Sequence, residues 1–340
     1  MRISEFDYTL PREAIAQSPL EPRDNAKMLV VHPNTGVIEH RLFYELPNYL
    51  EEGDLLILND TRVTALRLYG RKTTGGKVEV LLLRETGDGL FESIVRPAKR
   101  LQLGTCIEFS NGIRATVHSI LDDGMRVLQF SPPVSYEELK SFGKVPLPPY
   151  VFFDLEDSER YQTIYSRKPG SAAAPTAGLH FTPRVLEALE EKGVQQATIT
   201  LDIGIDTFRP VRTDDVCDHK MHGERYEIPE ETSRKIENCR GRIFAVGTTS
   251  VRAVESAAIK KRKIKSGEGV TELMITPGYS FKIVDGLITN FHMPRTTMLL
   301  LVAAFCGKEL LMKAYHEALR LEYRFLSFGD SMLILPKNNI

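Results

Sequence analysis

Cysteine is scarce in this chain. Cys106, Cys217, Cys239 and Cys306 are scattered over 340 residues with no C-x-x-C pair. That spacing excludes a zinc ribbon or a disulfide framework and points to a reducing, cytoplasmic setting. Long hydrophobic runs are lacking too. The longest, Met298 to Cys306, falls far short of the ~20 residues that a membrane-spanning helix needs, so no membrane association is expected. The opening residues, M-R-I-S-E-F-D-Y-T-L-P-R-E, alternate polar and apolar side chains and hold no signal-peptide core. Repeats and low-complexity tracts are absent. Net charge is nearly absent as well, at −1. That figure hides an asymmetry: Thr61 to Pro149 carries 13 Lys+Arg against 9 Asp+Glu, a net of +4, leaving −5 on the remainder. A basic middle on an acidic body hints at a polyanionic partner.

What is present reads as two textures. In the first sixty residues, Met28–Val31 and Val37–Ile38 flank a Pro33–Gly36 turn, Phe43 to Leu50 suggests a short helix, and Asp54 to Asp60 a buried strand. From Leu66 onward come short strands at 77–83, 91–95, 105–109, 113–117 and 125–130. Gly75-Gly76, Asp88-Gly89, Asn111-Gly112 and Asp123-Gly124 separate them, which is the spacing of a small all-β barrel or sandwich. After Tyr150 strands and helices alternate: helices at 183–192, 230–239, 250–260, 296–305 and 308–320, with strands at 197–203, 242–246, 272–276, 281–290 and 331–335. That alternation implies a mixed-sheet α/β domain with helices on both faces. The expected division is an α/β domain from residues 1–60 and 150–340, with a β-barrel inserted at 61–149.

The polar clusters that could carry chemistry fall at the ends of these elements. Gly170 to Thr182, G-S-A-A-A-P-T-A-G-L-H-F-T, is a small-residue loop before a helix capped by Thr182, and it holds His180 as a possible proton carrier. A tight loop whose histidine merely packs is the alternative. Arg242 to Arg252 is a strand, a turn at Gly247 and a helix start with three hydroxyls, able to bind a carboxylate or phosphate. It lacks the fingerprints G-x-x-x-x-G-K-[ST] and G-x-G-x-x-G, so neither ATP nor NAD is favoured. His219 and His222 stand three apart among acids, but no third ligand with proper spacing is evident, so no metal is expected. Thr289–Pro294 and Tyr323–Asp330 are further polar clusters of the kind that line α/β sites. Lys260 to Lys265 reads as a solvated helix terminus, with a nucleic-acid patch as the second possibility.

Taken together, P-T-A-G-L-H-F at Pro175–Phe181, D-H-x-M-H-x-E at Asp218–Glu224, V-G-T-T-S-V-R at Val246–Arg252, T-N-F-H-x-P at Thr289–Pro294 and Y-R-F-x-S-x-G-D at Tyr323–Asp330 form a set. With P-R-x-x-I-A-Q near the start and N-D-T-R-V at Asn59–Val63, the set closely resembles the S-adenosylmethionine:tRNA ribosyltransferase-isomerases of queuosine biosynthesis. The resemblance covers nearly the whole chain. It implies an α/β domain with an inserted barrel and a reaction in which S-adenosylmethionine gives up its ribosyl carbons. The acceptor would be the aminomethyl group of 7-aminomethyl-7-deazaguanine at the wobble position of tRNA, and the products epoxyqueuosine, adenine and methionine. Asp202 and Asp206 depart from the family pattern, which commonly has His and Gly there.

Such chemistry requires a base for a C5′ proton acidified by the neighbouring sulfonium, and no cofactor beyond the donor itself. His180 is the first candidate, as histidine ordinarily titrates near working pH, and His292 the second. Asp330 is placed with them as a positioning acid. Thr176, Ala177, Gly178, Thr248, Thr249, Ser250 and Asn290 are the candidate donor-binding residues. Arg62, Arg67, Arg71, Lys72, Arg96 and Lys99 are the candidate tRNA contacts. A monomer is expected. The rival reading is a non-catalytic tRNA-binding paralogue, and a metal hydrolase built on His219 and His222 is a distant third.

Overall fold

Strand β1 (Lys27–His32) turns back as β2 (Val37–Leu42), and β3 (Leu55–Asn59) follows a 3-10 turn at Phe43–Tyr49. The chain leaves through β4 (Thr61–Val63) into β5 (Leu66–Lys72), β6 (Lys77–Gly87), β7 (Leu90–Arg96), β8 (Cys106–Glu108), β9 (Arg114–Ile120) and β10 (Arg126–Ser131). Helix α1 (Tyr136–Phe142) closes that stretch, and the chain returns through β11 (Lys168–Ser171). Then come α2 (Pro183–Glu191), β12 (Gln195–Leu201), β13 (Glu224–Ile228), α3 (Glu230–Asn238), β14 (Ile243–Val246) and α4 (Thr248–Ser256). The hairpin β15 (Ala258–Lys260) and β16 (Lys263–Ile264) leads to β17 (Gly267–Thr271), β18 (Gly286–Asn290), α5 (Thr297–Cys306), α6 (Lys308–Arg320) and β19 (Ser331–Ile334). The structure, a computed structural model, describes residues 1–87, 89–121, 124–153, 155, 157–204 and 213–337. Asp206, Asp88 and Asp123, singled out in the sequence, lie outside them.

Two compact units divide the chain. Met1–Thr61, Pro148–Lys168 and Ala174–Ile340 form one, and Arg62–Leu147 with Pro169–Ala173 the other. Residues 169–173 therefore group with the barrel, although the α/β texture begins before them. In the α/β unit nine strands run in the order β17-β13-β12-β3-β14-β18-β19-β1-β2. Neighbours β12, β3, β14 and β18 are mutually parallel, while β13, β17, β2 and the β18–β19 pair are antiparallel, so the sheet is mixed. Every residue of β3 is buried, because both sheet faces are covered. Leu56 and Leu58 join Phe43, Phe181, Val185 and Leu189 in one core layer, and the alternating Leu55 and Ile57 are equally buried on the other face. The longest apolar run became α5, buried nearly all round.

The second unit is a closed barrel, β10-β7-β6-β5-β8-β9. Its interior is filled by alternating residues such as Leu66, Leu68, Val80, Phe91, Val117 and Leu128. Several details differ from the periodicity: β5 was not among the expected strands, and the strand expected at 281–290 begins only at Gly286. The helix expected at 250–260 ends at Ser256, and Lys260–Lys265 belongs to the β15–β16 hairpin rather than to a helix terminus. The strand expected at 272–276 lies earlier, at 267–271, pairing with β13. The error at 260–265 comes from a charged run, whose pattern is set by solvent rather than by a core; in the one at 272–276, the apolar Leu273, Met274 and Ile275 follow the strand instead of forming it.

Candidate active site

The carboxyl ends of the parallel strands are where an α/β sheet leaves room for a ligand. At the end of β14 the chain turns through Gly247, whose φ of +86° favours glycine, and enters α4 directly. The Gly247 N–H donates to the Ile288 carbonyl at 2.8 Å, which ties the turn to β18. β18 itself ends in Asn290, and β3 in Asn59. Asn59 braces this end: its Oδ1 accepts from Leu201 N–H at 3.0 Å, and its Nδ2 donates to the Leu201 carbonyl at 3.1 Å and to Thr249 Oγ1 at 3.4 Å. Over these ends opens a cleft of about 580 Å³, part of it open to solvent.

Six of the residues singled out in the sequence line the cleft: Thr176, Ala177, Thr248, Thr249, Asn290 and His292. Leu326 and Ser327 of the Tyr323–Asp330 cluster join them, as do Tyr150, Ile203 and Met298, which were not expected, with the Tyr150 hydroxyl 2.7 Å from Ser327 Oγ. Tyr150 stood in a proline-rich run that carried no polar signal. Thr176 Oγ1 donates to Asn290 Oδ1 at 3.0 Å, and Asn290 Nδ2 donates to His180 Nε2 at 3.3 Å. The imidazole of His180 thus accepts at Nε2, so its proton sits on Nδ1 in the neutral form.

The remaining assignments are redirected by the geometry. His180 does not line the cleft; it lies behind Asn290, against the Phe43 ring at 5.1 Å, on a second, smaller cavity. Burial, then the charges of Arg324 and Arg23, pulls its pKa down to about 4. His292 does face the cleft, and burial pulls its pKa down to about 3. Neither titrates near neutral pH in this environment, contrary to what the residue type alone suggests, because a charged imidazole loses its hydration there. Asp330 lines neither cavity. Its carboxylate accepts the Lys27 and Arg324 backbone N–H groups at 2.8 and 2.7 Å, clamping the turn before β19. Burial nevertheless raises its pKa. Ser250 turns its hydroxyl back to the Val246 carbonyl at 2.7 Å. Gly178 is also off the cleft: a Cβ there would lie 2.0 Å from the Tyr165 hydroxyl, so packing requires glycine.

Two of the sequence motifs meet in a buried ion pair. Arg252 Nη1 donates to Glu224 Oε2, and the same guanidinium donates to the Leu273 and Thr271 carbonyls at 3.1 and 3.3 Å. His219 is partly buried and His222 exposed, and among the described residues no group of three metal-ligating side chains exists. Asp202 accepts from Thr61 Oγ1 at 2.9 Å at the end of β12. In the barrel unit, Tyr69, Arg71, Lys77 and Arg96 lie on neighbouring strands and outward positions, and Lys99 is exposed nearby in sequence. Arg67 is instead paired with Glu79 at 3.2 Å, while Arg62 and Lys72 are partly buried.

The family model described as queuosine biosynthesis protein matches residues 3–334. An S-adenosylmethionine:tRNA ribosyltransferase-isomerase from Halothermothrix orenii is 48% identical over 341 residues, covering 98% of this chain and 100% of that protein. A protein of the same name from Thermotoga maritima is 48% identical over the same shares of both chains. The crystal structure of S-adenosylmethionine tRNA ribosyltransferase from Thermotoga maritima superposes with a TM-score of 0.56 at 40% identity, covering 97% of this chain and all of that one. No described helix is long and apolar enough to cross a membrane. With sequence motifs, fold and full-length relatives in agreement, this chain belongs to the queuosine biosynthesis protein family.

Proposed function

We propose that the cleft binds S-adenosylmethionine and that the chain transfers its ribosyl carbons to the aminomethyl group of 7-aminomethyl-7-deazaguanine at the tRNA wobble position. Epoxyqueuosine in tRNA, adenine and methionine are the products. One observation carries this reading: residues of P-T-A-G-L-H-F, V-G-T-T-S-V-R, T-N-F-H-x-P and Y-R-F-x-S-x-G-D, far apart in the chain, line a single cleft at the sheet's carboxyl edge. The start of α4 offers backbone N–H groups and the hydroxyls of Thr248 and Thr249 to the donor's carboxylate or ribose. Ala177, Ile203, Met298 and Leu326 give an apolar wall suited to adenine. Thr176 and Asn290 orient the sugar. His292, neutral and facing the cleft, takes the C5′ proton; His180 acts through Asn290 as a positioning residue. In this reading the donor is the sole co-substrate, no metal takes part, and the chain works as a monomer in the cytoplasm on tRNA.

The reaction is tested by its products. Protein incubated with the donor and tRNA carrying the aminomethyl base should release adenine and methionine in equal amounts, while unmodified tRNA, which offers no amine nucleophile, should give no turnover. Methyl transfer to the tRNA, or tRNA binding without adenine release, would sink the proposal and favour a binding paralogue.

The barrel unit supplies part of the tRNA affinity through Arg71, Arg96 and Lys99. Reversing Arg71 and Arg96 to glutamate should weaken tRNA binding and flatten its dependence on salt, the slope shrinking by roughly 1 for each phosphate that is no longer neutralised. Donor affinity should be unchanged. Unaltered tRNA binding would make these charges a solvated surface only.

A further inference from the structure

Beside the cleft lies a second, smaller hollow, partly open to solvent and lined in part by Arg23, Arg160, His180, Ser327 and Gly329. Ser327 lines both hollows, and His180 reaches Asn290 of the cleft at 3.3 Å, so the two are one side chain apart. The two fully charged side chains that line the smaller one, Arg23 and Arg160, are both positive, with Glu21, Asp157 and Glu159 close enough to act on Arg23. Arg23 donates to the Gln162 and Glu159 carbonyls at 2.7 and 3.2 Å. Arg160 donates to the Leu20 carbonyl at 2.7 Å and meets Glu21 at 2.9 Å, a carboxylate that is 76% exposed. Arg324 comes from the loop that supplies Ser327. It donates through Nη2 to the Ser18 carbonyl, and its Nη1 is buried without an acceptor among the described residues.

Carbonyl oxygens satisfy guanidinium N–H groups but do not neutralise them. Burial and the Arg160 charge hold Arg23 below its usual range, against the pull of Glu21, Asp157 and Glu159. Arg160 already has the exposed Glu21 beside it, whereas Arg23 is hydrogen-bonded to carbonyls, and a partly buried cation of that kind gains from an anion that reaches both. The planar fork of arginine suits a phosphate, which it can meet through two N–H groups at once.

We propose that this cavity is an oxyanion site, and that its occupant is a phosphodiester of the tRNA strand next to the nucleotide that enters the cleft. The proposal rests on the tRNA reading above. Phosphate is favoured over the donor's carboxylate because the start of α4 already offers that carboxylate a partner inside the cleft. An RNA base delivered to the cleft also necessarily brings its own backbone phosphates to the rim.

The test uses Arg160→Gln, Arg160→Lys and Arg23→Lys in the full chain, with thermal melts beside each. Calorimetry at constant ionic strength measures inorganic phosphate, then an anticodon stem-loop without donor, then S-adenosylmethionine without RNA. Wild type should bind phosphate and Arg160→Gln should not, with Arg160→Lys recovering part of the affinity through its charge. Stem-loop affinity should fall roughly 10- to 100-fold in Arg160→Gln, the loss of a charge-assisted hydrogen bond, with a salt slope smaller by about 1. A fall in donor affinity alone would uphold the oxyanion site and assign it to the donor's carboxylate. Equal binding of all three ligands by wild type and variants would overturn the site, as would a Lys variant no better than Gln at the same melting temperature. Adenine release by the wild type is read separately, so an arginine-dependent phosphate site without turnover upholds the cavity and sinks the reaction.

Discussion

His292→Gln should slow adenine release by about 10²–10⁴-fold, the span typical of losing a general base. In barrier terms that is about 2.7–5.5 kcal/mol. The substitution is a clean one. The backbone of residue 292 is held by others, its N–H accepted by the Tyr315 hydroxyl at 2.9 Å and its carbonyl bonded by the Tyr8 hydroxyl. The imidazole itself shares a hydrogen bond with Thr289 Oγ1 at 2.9 Å, which glutamine can keep. Removing the ring therefore removes proton transfer while the loop stays put. His180→Gln should behave differently: glutamine can still accept from Asn290, so turnover should fall less and the Michaelis constant for the donor should rise more. If His180→Gln proves the slower enzyme at saturating donor, the roles of the two histidines are reversed.

The pH profile gives an independent check. A base protonates and fails below its pKa, so a His292 drawn down to about 3 puts the acid limb of kcat/KM well under the ordinary histidine range. Stability carries the same signature with the sign worked through. The unfolded chain takes up a proton near pH 6.5 while the folded one does not until about 3, so stability is full above 6.5 and is lost progressively below it. His292→Gln should flatten that loss. An acid limb near 6.5 in the free enzyme would place the base elsewhere.

Glu224→Ala should be among the most damaging substitutions to the fold, at about 3–5 kcal/mol. Arg252 is 8% exposed and Glu224 7%, and the two are hydrogen-bonded. Deleting the carboxylate strands a buried guanidinium whose other bonds, to the Leu273 and Thr271 carbonyls, bring no opposite charge. The expected loss is a large part of the ~5–15 kcal/mol that holds a domain together. Gly204 N–H, which donates to Glu224 Oε1 at 3.3 Å, would also lose its acceptor at the entrance to the loop after β12. Replacing both partners, as Glu224→Gln with Arg252→Met, should recover part of the stability, since no buried charge is then left alone. Denaturant melts of the two single variants and the double decide it: strictly additive losses would mean that the pair is not coupled.

Much of this was legible from local signals. Turn residues and alternating hydrophobicity marked most strands of the barrel, Thr182 and Pro183 marked the start of α2, and a helix was expected over the apolar run near 296–305. Each of these depends on neighbours within a few residues, which a sequence displays directly. The motif set likewise named the residues that surround the cleft, because the ends of parallel strands are where an α/β sheet collects polar groups. Lys260–Lys265 was misread for the converse reason, as charge without a core-facing pattern carries little information about helix or strand.

What required the tertiary structure was direction and burial. Ser250 and Thr249 are adjacent and chemically alike, yet one bonds back to Val246 while the other faces the cleft. The rotation of α4 against the sheet decides this. Asp330 reads as a catalytic acid and serves as a clamp, because two backbone N–H groups from Lys27 and Arg324 reach it first. His180 and His292 share one residue type and one ordinary pKa. Only the packing of distant segments put His180 behind Asn290 and His292 in the cleft wall, and stripped both of the water that would have kept them titrating near neutral pH. The sequence by itself determined which residues gather; the long-range burial of their side chains decided which of them can touch a substrate.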